Sequence, residues 1–69
     1  MRTCSIISGV NEILSGDPRS CQIVFNNLTG RPSPNYRREL EHFCHAKITG
    51  SIKIIDDDTG ETIREAEID

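Results

Sequence analysis

Apolar residues recur at helical intervals in three stretches of the first two thirds of the chain. In the first stretch, the apolar residues between Ile6 and Leu14 follow the spacing of one helical face. Gly16 stands where a left-handed cap would end such a helix. This pattern predicts a first short helix from about residue 5 to Gly16.

The second stretch opens with Asp17-Pro18, which is typical of a helix N-cap followed by proline at the first helical position. The apolar side chains that follow lie at i, i+3, i+4 and i+7: Cys21, Val24, Phe25 and Leu28. Because β-branched and aromatic residues also favour strands, residues 21–28 could be helix or strand. The start signal, the spacing and the closing Gly30 favour a helix.

The third stretch repeats the same start signal at Ser33-Pro34, after a stiff turn through Pro32. One helical face then carries Tyr36, Leu40, Phe43 and Cys44. This pattern predicts a helix from about Pro34 to Ala46. The stripes of the second and third helices predict four core residues, namely Phe25, Leu28, Leu40 and Phe43.

After the third stretch the period changes from 3.6 to 2, as in a strand. Ile48, Ile52 and Ile54 share one side, and Asp57 to Gly60 has the composition of a turn. A weaker strand pattern follows from Thr62 to Ile68. The predicted fold class is therefore α+β, with three short helices followed by a C-terminal antiparallel β-hairpin. We expect a single small domain over residues 1–69, helical over about 5–46 and a β-hairpin over about 48–68.

Composition leaves little material for a core. The chain has 69 residues, of which 35% are hydrophobic and 4% aromatic. Domains of this size bury only just enough surface to fold alone, and many gain stability from a metal, a disulfide or another subunit. A protein partner or self-association, with a homodimer as one form, is therefore a natural expectation.

Charge is divided unevenly along the chain, whose net charge is −3. Through Gly50 there are six basic and four acidic residues, whereas from Ser51 to Asp69 there are two basic and seven acidic residues. An acidic surface repels phosphate, which disfavours non-specific binding of nucleic acid by the whole chain.

The three cysteines, Cys4, Cys21 and Cys44, have no short paired spacing. A secreted scaffold of this size usually has a denser and even-numbered set. No long apolar run follows Met1, so the sequence predicts no signal peptide and no membrane span. We expect a cytoplasmic protein with reduced cysteines.

Side chains that could carry chemistry do not form a recognisable site. His42, Cys44 and His45 are close in sequence, but adjacent helical side chains diverge by about 100°, so neither histidine can orient the thiol. No second ligand pair supports a metal centre. The acidic run at Asp56 departs from the ligand spacing of a calcium loop. We expect no cofactor, no metal and no enzymatic activity.

Two segments resemble known families. Ile52-Lys-Ile-Ile-Asp-Asp-Asp-Thr-Gly-Glu-Thr-Ile-Arg64 resembles the C-terminal hairpin of FlaG-type flagellar proteins, over less than a quarter of the chain, and implies a hairpin there. Val24 to Pro34 is similar to the end of a recognition helix and the following turn in lambda-type repressors, which implies a helix-turn-helix. The pattern departs from that family at Glu12 and Asp17, where small or apolar residues are usual.

Two functional hypotheses follow. The first is a small non-enzymatic regulator or inhibitor, of the kind that bacteria and their phages encode, which acts through a protein partner. Its binding residues would be Ile55, Asp56, Asp57, Asp58, Glu61, Ile63, Glu65 and Glu67. The alternative is a helix-turn-helix DNA-binding transcriptional regulator with the hairpin as dimer interface. Its DNA-binding residues would be Arg19, Gln22, Asn26, Asn27 and Arg31.

Overall fold

The computed structural model describes residues 2–31, 33–48 and 50–68 and has the element order β-β-α-α-β-β. The elements are β1 (Cys4–Ser8), β2 (Asn11–Gly16), α1 (Pro18–Thr29), α2 (Pro34–Cys44), β3 (Gly50–Asp56) and β4 (Thr62–Ile68). The four strands form one antiparallel sheet in the order β2-β1-β3-β4. The predicted turn at Pro32 and the predicted acidic end at Asp69 lie outside the described residues.

The predicted first helix is wrong, because this segment forms the β1–β2 hairpin. Ser8 pairs with Asn11, so Gly9 and Val10 form a two-residue loop. Gly9 has a φ of 62°, which glycine adopts without steric cost at the first central position of a type II′ turn. Val10, an apolar member of the supposed helical stripe, is 96% exposed. The three-helix architecture with a single hairpin is therefore replaced by two helices and four strands.

The second and third predicted helices are confirmed as α1 and α2, which settles residues 21–28 as helix. In α1, the Asp17 carboxylate accepts a hydrogen bond of 2.9 Å from the Ser20 N–H, so Asp17 is the N-cap. α2 ends at Cys44, two residues before the predicted end, because His45 takes a left-handed conformation with φ 55°. Helical structure thus spans α1 and α2 rather than residues 5–46.

The predicted C-terminal hairpin is confirmed as β3 and β4, but it belongs to a larger sheet. β3 has β4 on one side and β1 on the other, and Ile6 of β1 is the register partner of Ile54 of β3. The two hairpins therefore join through their first strands, and β2 and β4 are the two edges. Each edge strand carries an irregularity in its register, at Ile13 in β2 and at Ile63 in β4.

The core lies between α1 and one face of the sheet, here called the inner face. The buried apolar side chains that form it are Cys4, Ile6, Ile13, Cys21, Phe25, Leu28, Ile48, Ile52, Ile54 and Ile68. The predictions for Phe25 and Leu28 are confirmed, since both are fully buried. Leu40 is only half-buried, and Phe43 is 82% exposed, so its assignment to the core is wrong. Register places Lys53, Ile55, Glu65 and Glu67 on the opposite, outer face.

The position of α2 explains why its stripe is not buried. α1 contacts all four strands, whereas α2 contacts β2 at one edge of the sheet. Three half-buried side chains of α2 pack against the margin of the core: Tyr36, Leu40 and Cys44. The Phe43 side chain is exposed to solvent. α1, and not α2, packs across the sheet, and Phe43 stays outside the core.

Candidate protein-binding surface

Two of the acidic residues predicted to bind a partner have a structural role instead. Asp56 is 3% exposed, and its carboxylate accepts hydrogen bonds from Arg2 Nη2 at 2.6 Å and from the Asp58 N–H at 2.9 Å. The hydrogen bond from Arg2 and the one from Asp58 hold the pKa of Asp56 below its ordinary value. Asp56 therefore stabilises the β3–β4 turn and is not available to a partner.

Asp57 joins the same turn to the start of β1. Its carboxylate accepts hydrogen bonds from Thr3 Oγ1 at 2.9 Å and from Ser5 Oγ at 2.8 Å. The Asp57 N–H also donates to the Thr3 carbonyl oxygen at 3.1 Å. These contacts link residues more than fifty positions apart, so Asp57 also belongs to the framework rather than to a binding surface.

The basic residue of β4 is turned away from the strand's acidic side. Arg64 faces Ile54 and therefore lies on the inner face. Its Nη1 donates to Asn26 Oδ1 at 2.7 Å, and its guanidinium carbon lies 4.8 Å from the centre of the Phe25 ring. This cation–π contact and the hydrogen bond hold the positive charge against α1. On the outer face, Glu65 pairs in register with Lys53 of β3, whereas Glu67 pairs with the uncharged Ser51.

The remaining predicted residues lie in the β3–β4 turn, at Asp58 and Glu61, and on the strands β3 and β4. The exposed members, here called the β4 surface, are Asp58, Glu61, Ile63, Glu65 and Glu67. Ile63 is 50% exposed at the irregularity of the strand. Ile55 is half-buried on the outer face, opposite Thr62. The β4 surface thus combines an apolar side chain, four carboxylates and the open main-chain groups of an edge strand.

The residues of the DNA-binding alternative lie mainly on the outward side of α1. Arg19, Asn26, Asn27 and Arg31 are exposed and Gln22 is half-buried. Gln22 Nε2 donates to Asn26 Oδ1 at 3.1 Å, and the same oxygen accepts from Arg64. Asn26 therefore helps to hold β4 against α1. To contact a DNA base, its side chain would have to give up these hydrogen bonds.

Two of the three thiols contact main-chain carbonyl oxygens. Cys21 Sγ lies 3.2 Å from the Cys4 carbonyl oxygen, and Cys44 Sγ lies 2.9 Å from that of Ile13. Burial raises the pKa of Cys4 and of Cys21, which makes both poor nucleophiles. All three cysteines are free thiols. Over the described ranges, no group of three or more His, Cys, Asp or Glu side chains is arranged to hold a metal ion.

The sequence reasoning missed an exposed apolar surface on α2. Tyr36, Leu40 and Phe43 line an open hollow of about 260 Å³ together with Glu39; the three apolar residues are here called the α2 patch. A second hollow of about 350 Å³ lies at the C-terminal end of α2 and is lined by Arg38, Glu41, His42, His45, Ala46 and Lys47. The helical spacing of Phe43 in the sequence does not show whether the fold buries its side chain.

Comparisons with protein-family models, with curated proteins and with solved structures find no match. In the described part of the chain, neither helix combines the length and apolar character needed to cross a lipid bilayer.

Proposed function

We propose that the chain is a small non-enzymatic binding protein, a cytoplasmic regulator or inhibitor, which engages a basic protein partner through the β4 surface. The observation that carries the proposal is the position of Arg64. Because Arg64 contacts α1 on the inner side, the outer side of the edge strand presents Glu65 and Glu67, with Ile63 exposed at the irregularity. Complementary charge of this kind selects partners and speeds encounter.

The edge itself supplies a means of binding. An extended segment can add to an exposed strand through main-chain hydrogen bonds, while its side chains read the neighbouring surface. A segment that carries Lys or Arg beside an apolar residue would match Glu65 and Glu67 on the outer face and Ile63 at the irregularity. The half-buried Ile55 would extend the apolar contact onto β3.

Charge argues against symmetric pairing of two β4 strands. In an antiparallel pair about a two-fold axis, registers centred on Arg64, Glu65 or Ala66 set like charges opposite each other. The opposed pairs are Arg64 with Arg64, Glu65 with Glu65, and Glu65 with Glu67 respectively. Like charges directly opposite are destabilising in a sheet. The β4 surface therefore favours a partner of opposite charge over the β4 strand of a second copy.

A non-enzymatic role agrees with how the reactive groups are used. Cys21 and Cys44 contact carbonyl oxygens, and Asp56 and Asp57 stabilise the β3–β4 turn. Three free thiols, two of them fully buried, suit a reducing compartment, which supports the cytoplasm. The DNA-binding alternative loses its premise, because residues 4–16 are a hairpin and supply no helix to pack before α1.

The proposal is tested by selecting ligands from a displayed library of random peptides. The wild-type protein should enrich peptides with an excess of Lys and Arg. Binding by these peptides should fall at least tenfold in Glu65→Gln/Glu67→Lys, in which Gln at position 65 avoids a second lysine opposite Lys53. High salt should weaken the same binding.

Glu12→Lys is the matched control, because Glu12 is an exposed carboxylate on the outer face of the other edge strand. It should leave the binding unchanged. If the enriched peptides are acidic, or if they bind Glu65→Gln/Glu67→Lys as tightly as the wild type, the β4 surface is only a solubilising cover and the proposal fails.

A further inference from the structure

Beyond the irregularity at Ile63, the side chains of β4 alternate between the two faces of the sheet. Glu65 and Glu67 lie on the outer face, whereas Arg64 and Ala66 lie on the inner face. A segment that pairs with this edge alternates in the same way, because successive side chains of a strand point to opposite faces. Each residue of such a segment therefore lies beside either a carboxylate or an inner-face side chain, and positions of the same kind are two residues apart.

The two carboxylates of the outer face have different neighbours. Glu65 is the register partner of Lys53 on β3, and Glu67 is the register partner of the uncharged Ser51. Opposite charges on directly opposed residues stabilise a pair of strands, and like charges destabilise it. A cation on an added strand would thus give Glu65 a second cation in register, and it would give Glu67 its first.

The inner-face positions disfavour a cation. Arg64 is exposed, and its guanidinium carbon lies 4.8 Å from the centre of the Phe25 ring. A lysine opposite Arg64 would set two like charges against each other. Ala66 is half-buried against the core, so a charged residue opposite it would lose part of its hydration without gaining a partner. An apolar residue in that place would instead extend the buried surface.

We propose that the partner of the β4 surface is an extended segment of another protein in which two Lys or Arg residues flank one apolar residue. This inference rests on the proposed function and adds the sequence pattern that the surface selects. The two cations lie opposite Glu65 and Glu67, and the apolar residue lies opposite Ala66. Because the pattern reads the same from either end, it applies to a parallel and to an antiparallel added strand.

The register also ranks the two charged contacts. Glu67 should contribute more to binding than Glu65, because Lys53 already lies opposite Glu65. A general attraction between a basic segment and an acidic surface gives no such ranking, since both carboxylates are exposed on the same strand. Unequal contributions would therefore distinguish pairing in register from general attraction.

Two synthetic peptides of the same composition test the proposal. They are Thr-Thr-Lys-Val-Lys-Thr-Thr, here called the spaced peptide, and its isomer Thr-Thr-Lys-Lys-Val-Thr-Thr, each with a neutral fluorophore at the N-terminus and an amide at the C-terminus. Only the spaced peptide can set both lysines against Glu65 and Glu67 in one register. Fluorescence anisotropy should show that the wild type binds it about fivefold more tightly than the isomer, as expected for one additional charge pair between strands.

Two variants that each remove one negative charge test the ranking. Glu67→Gln should weaken binding of the spaced peptide about fivefold and remove most of its advantage over the isomer, whereas Glu65→Gln should weaken it about twofold. Glu12→Gln is the matched control, because it removes an exposed carboxylate of the other edge strand, and it should bind as the wild type does. Melting curves equal to that of the wild type would show that the variants are folded.

Equal binding of the two peptides by the wild type overturns the inference, as do equal losses in Glu67→Gln and Glu65→Gln. The proposed function survives either result if binding is still lost in Glu65→Gln/Glu67→Lys, because the β4 surface then attracts basic segments without selecting their spacing. Failure of the spaced peptide to bind, while peptides selected from the library bind at the β4 surface, also overturns the inference alone. Peptides that bind Glu65→Gln/Glu67→Lys as tightly as the wild type would contradict the proposed function and the inference together.

Discussion

α1 and α2 begin alike in sequence and differ in how the fold uses them. Each starts with a polar residue followed by proline, and each carries an apolar stripe over about two and a half turns. In α1 the residues Cys21, Phe25 and Leu28 are completely buried, whereas no residue of α2 is buried. A stripe shows that a helix has an apolar side, but the topology decides whether the core reaches it.

The sheet accounts for this difference. α1 packs on its inner face and contacts every strand. α2 follows α1 in the chain and contacts β2, the strand at one edge of the sheet. The exposed part of its stripe is therefore available for contact with another molecule, whereas the stripe of α1 contributes to the stability of the monomer.

The largest effect should come from truncating the α1 stripe. Phe25→Ala removes a fully buried ring that also lies under Arg64, and it should cost about 3–5 kcal/mol in the free energy of unfolding. This is a large part of the total stability expected for a domain of this size. Leu40→Ala, in the half-buried stripe of α2, should cost only about 1 kcal/mol. Urea denaturation of both variants measures the ratio, and equal losses would contradict the distinction between the helices.

The N-caps should give a smaller, pH-dependent difference. The Ser20 N–H and hydroxyl donate to the Asp17 carboxylate and hold its pKa below the ordinary value, whereas the Ser33 side chain makes no capping hydrogen bond. The folded state therefore favours ionised Asp17, so its stabilising effect is present at neutral pH and is lost as the pH falls below about 4. Asp17→Ala should lower Tm at pH 7, and this difference from the wild type should disappear in acid.

Ser33→Ala is the comparison for this measurement and should leave Tm unchanged at both pH values. Thermal melts followed by circular dichroism are sufficient. A reduction of Tm by Asp17→Ala that is the same at pH 7 and pH 3 would show that the side chain acts through packing rather than through its charge.

The smallest effect on stability should come from Phe43→Ser. Because the ring is 82% exposed, its loss should change the free energy of unfolding by no more than about 0.5 kcal/mol, as for other surface substitutions. A destabilisation comparable to that of Phe25→Ala would mean that Phe43 packs into the core in solution. The α2 patch would then be part of the monomer's interior.

The sequence allowed both helices and the C-terminal hairpin to be predicted, because capping residues, prolines and the turn at Gly60 act locally. It did not allow the N-terminal hairpin to be recognised. The apolar residues at positions 6, 7, 13 and 14 fit one face of a helix. The same residues also fit two short strands, in which pairing with other strands decides which side chains face the core. The deciding signal was Gly9, whose positive φ closes a two-residue turn.

The candidate site was predicted in part for a similar reason. Glu65, Glu67 and Ile63 are exposed, as are their neighbours Thr62 and Arg64. Asp56 and Asp57 belong to the same acidic run, but their partners Arg2, Thr3 and Ser5 lie at the other end of the chain. No local pattern reveals hydrogen bonds across more than fifty residues, so only the fold shows which members of the acidic run are bonded to the N-terminal segment.

The most direct test of the account is an NMR titration of the isotopically labelled protein with a basic peptide selected on the wild type. We expect backbone amide shifts to change along Thr62 to Ile68 and at Ile55, and we expect these changes to be lost in Glu65→Gln/Glu67→Lys. The outward side of α1, marked by Arg19 and Asn27, should not respond. Shifts confined to α1, or changes that survive in Glu65→Gln/Glu67→Lys, would contradict the claim that this protein binds its partner through the free edge of β4.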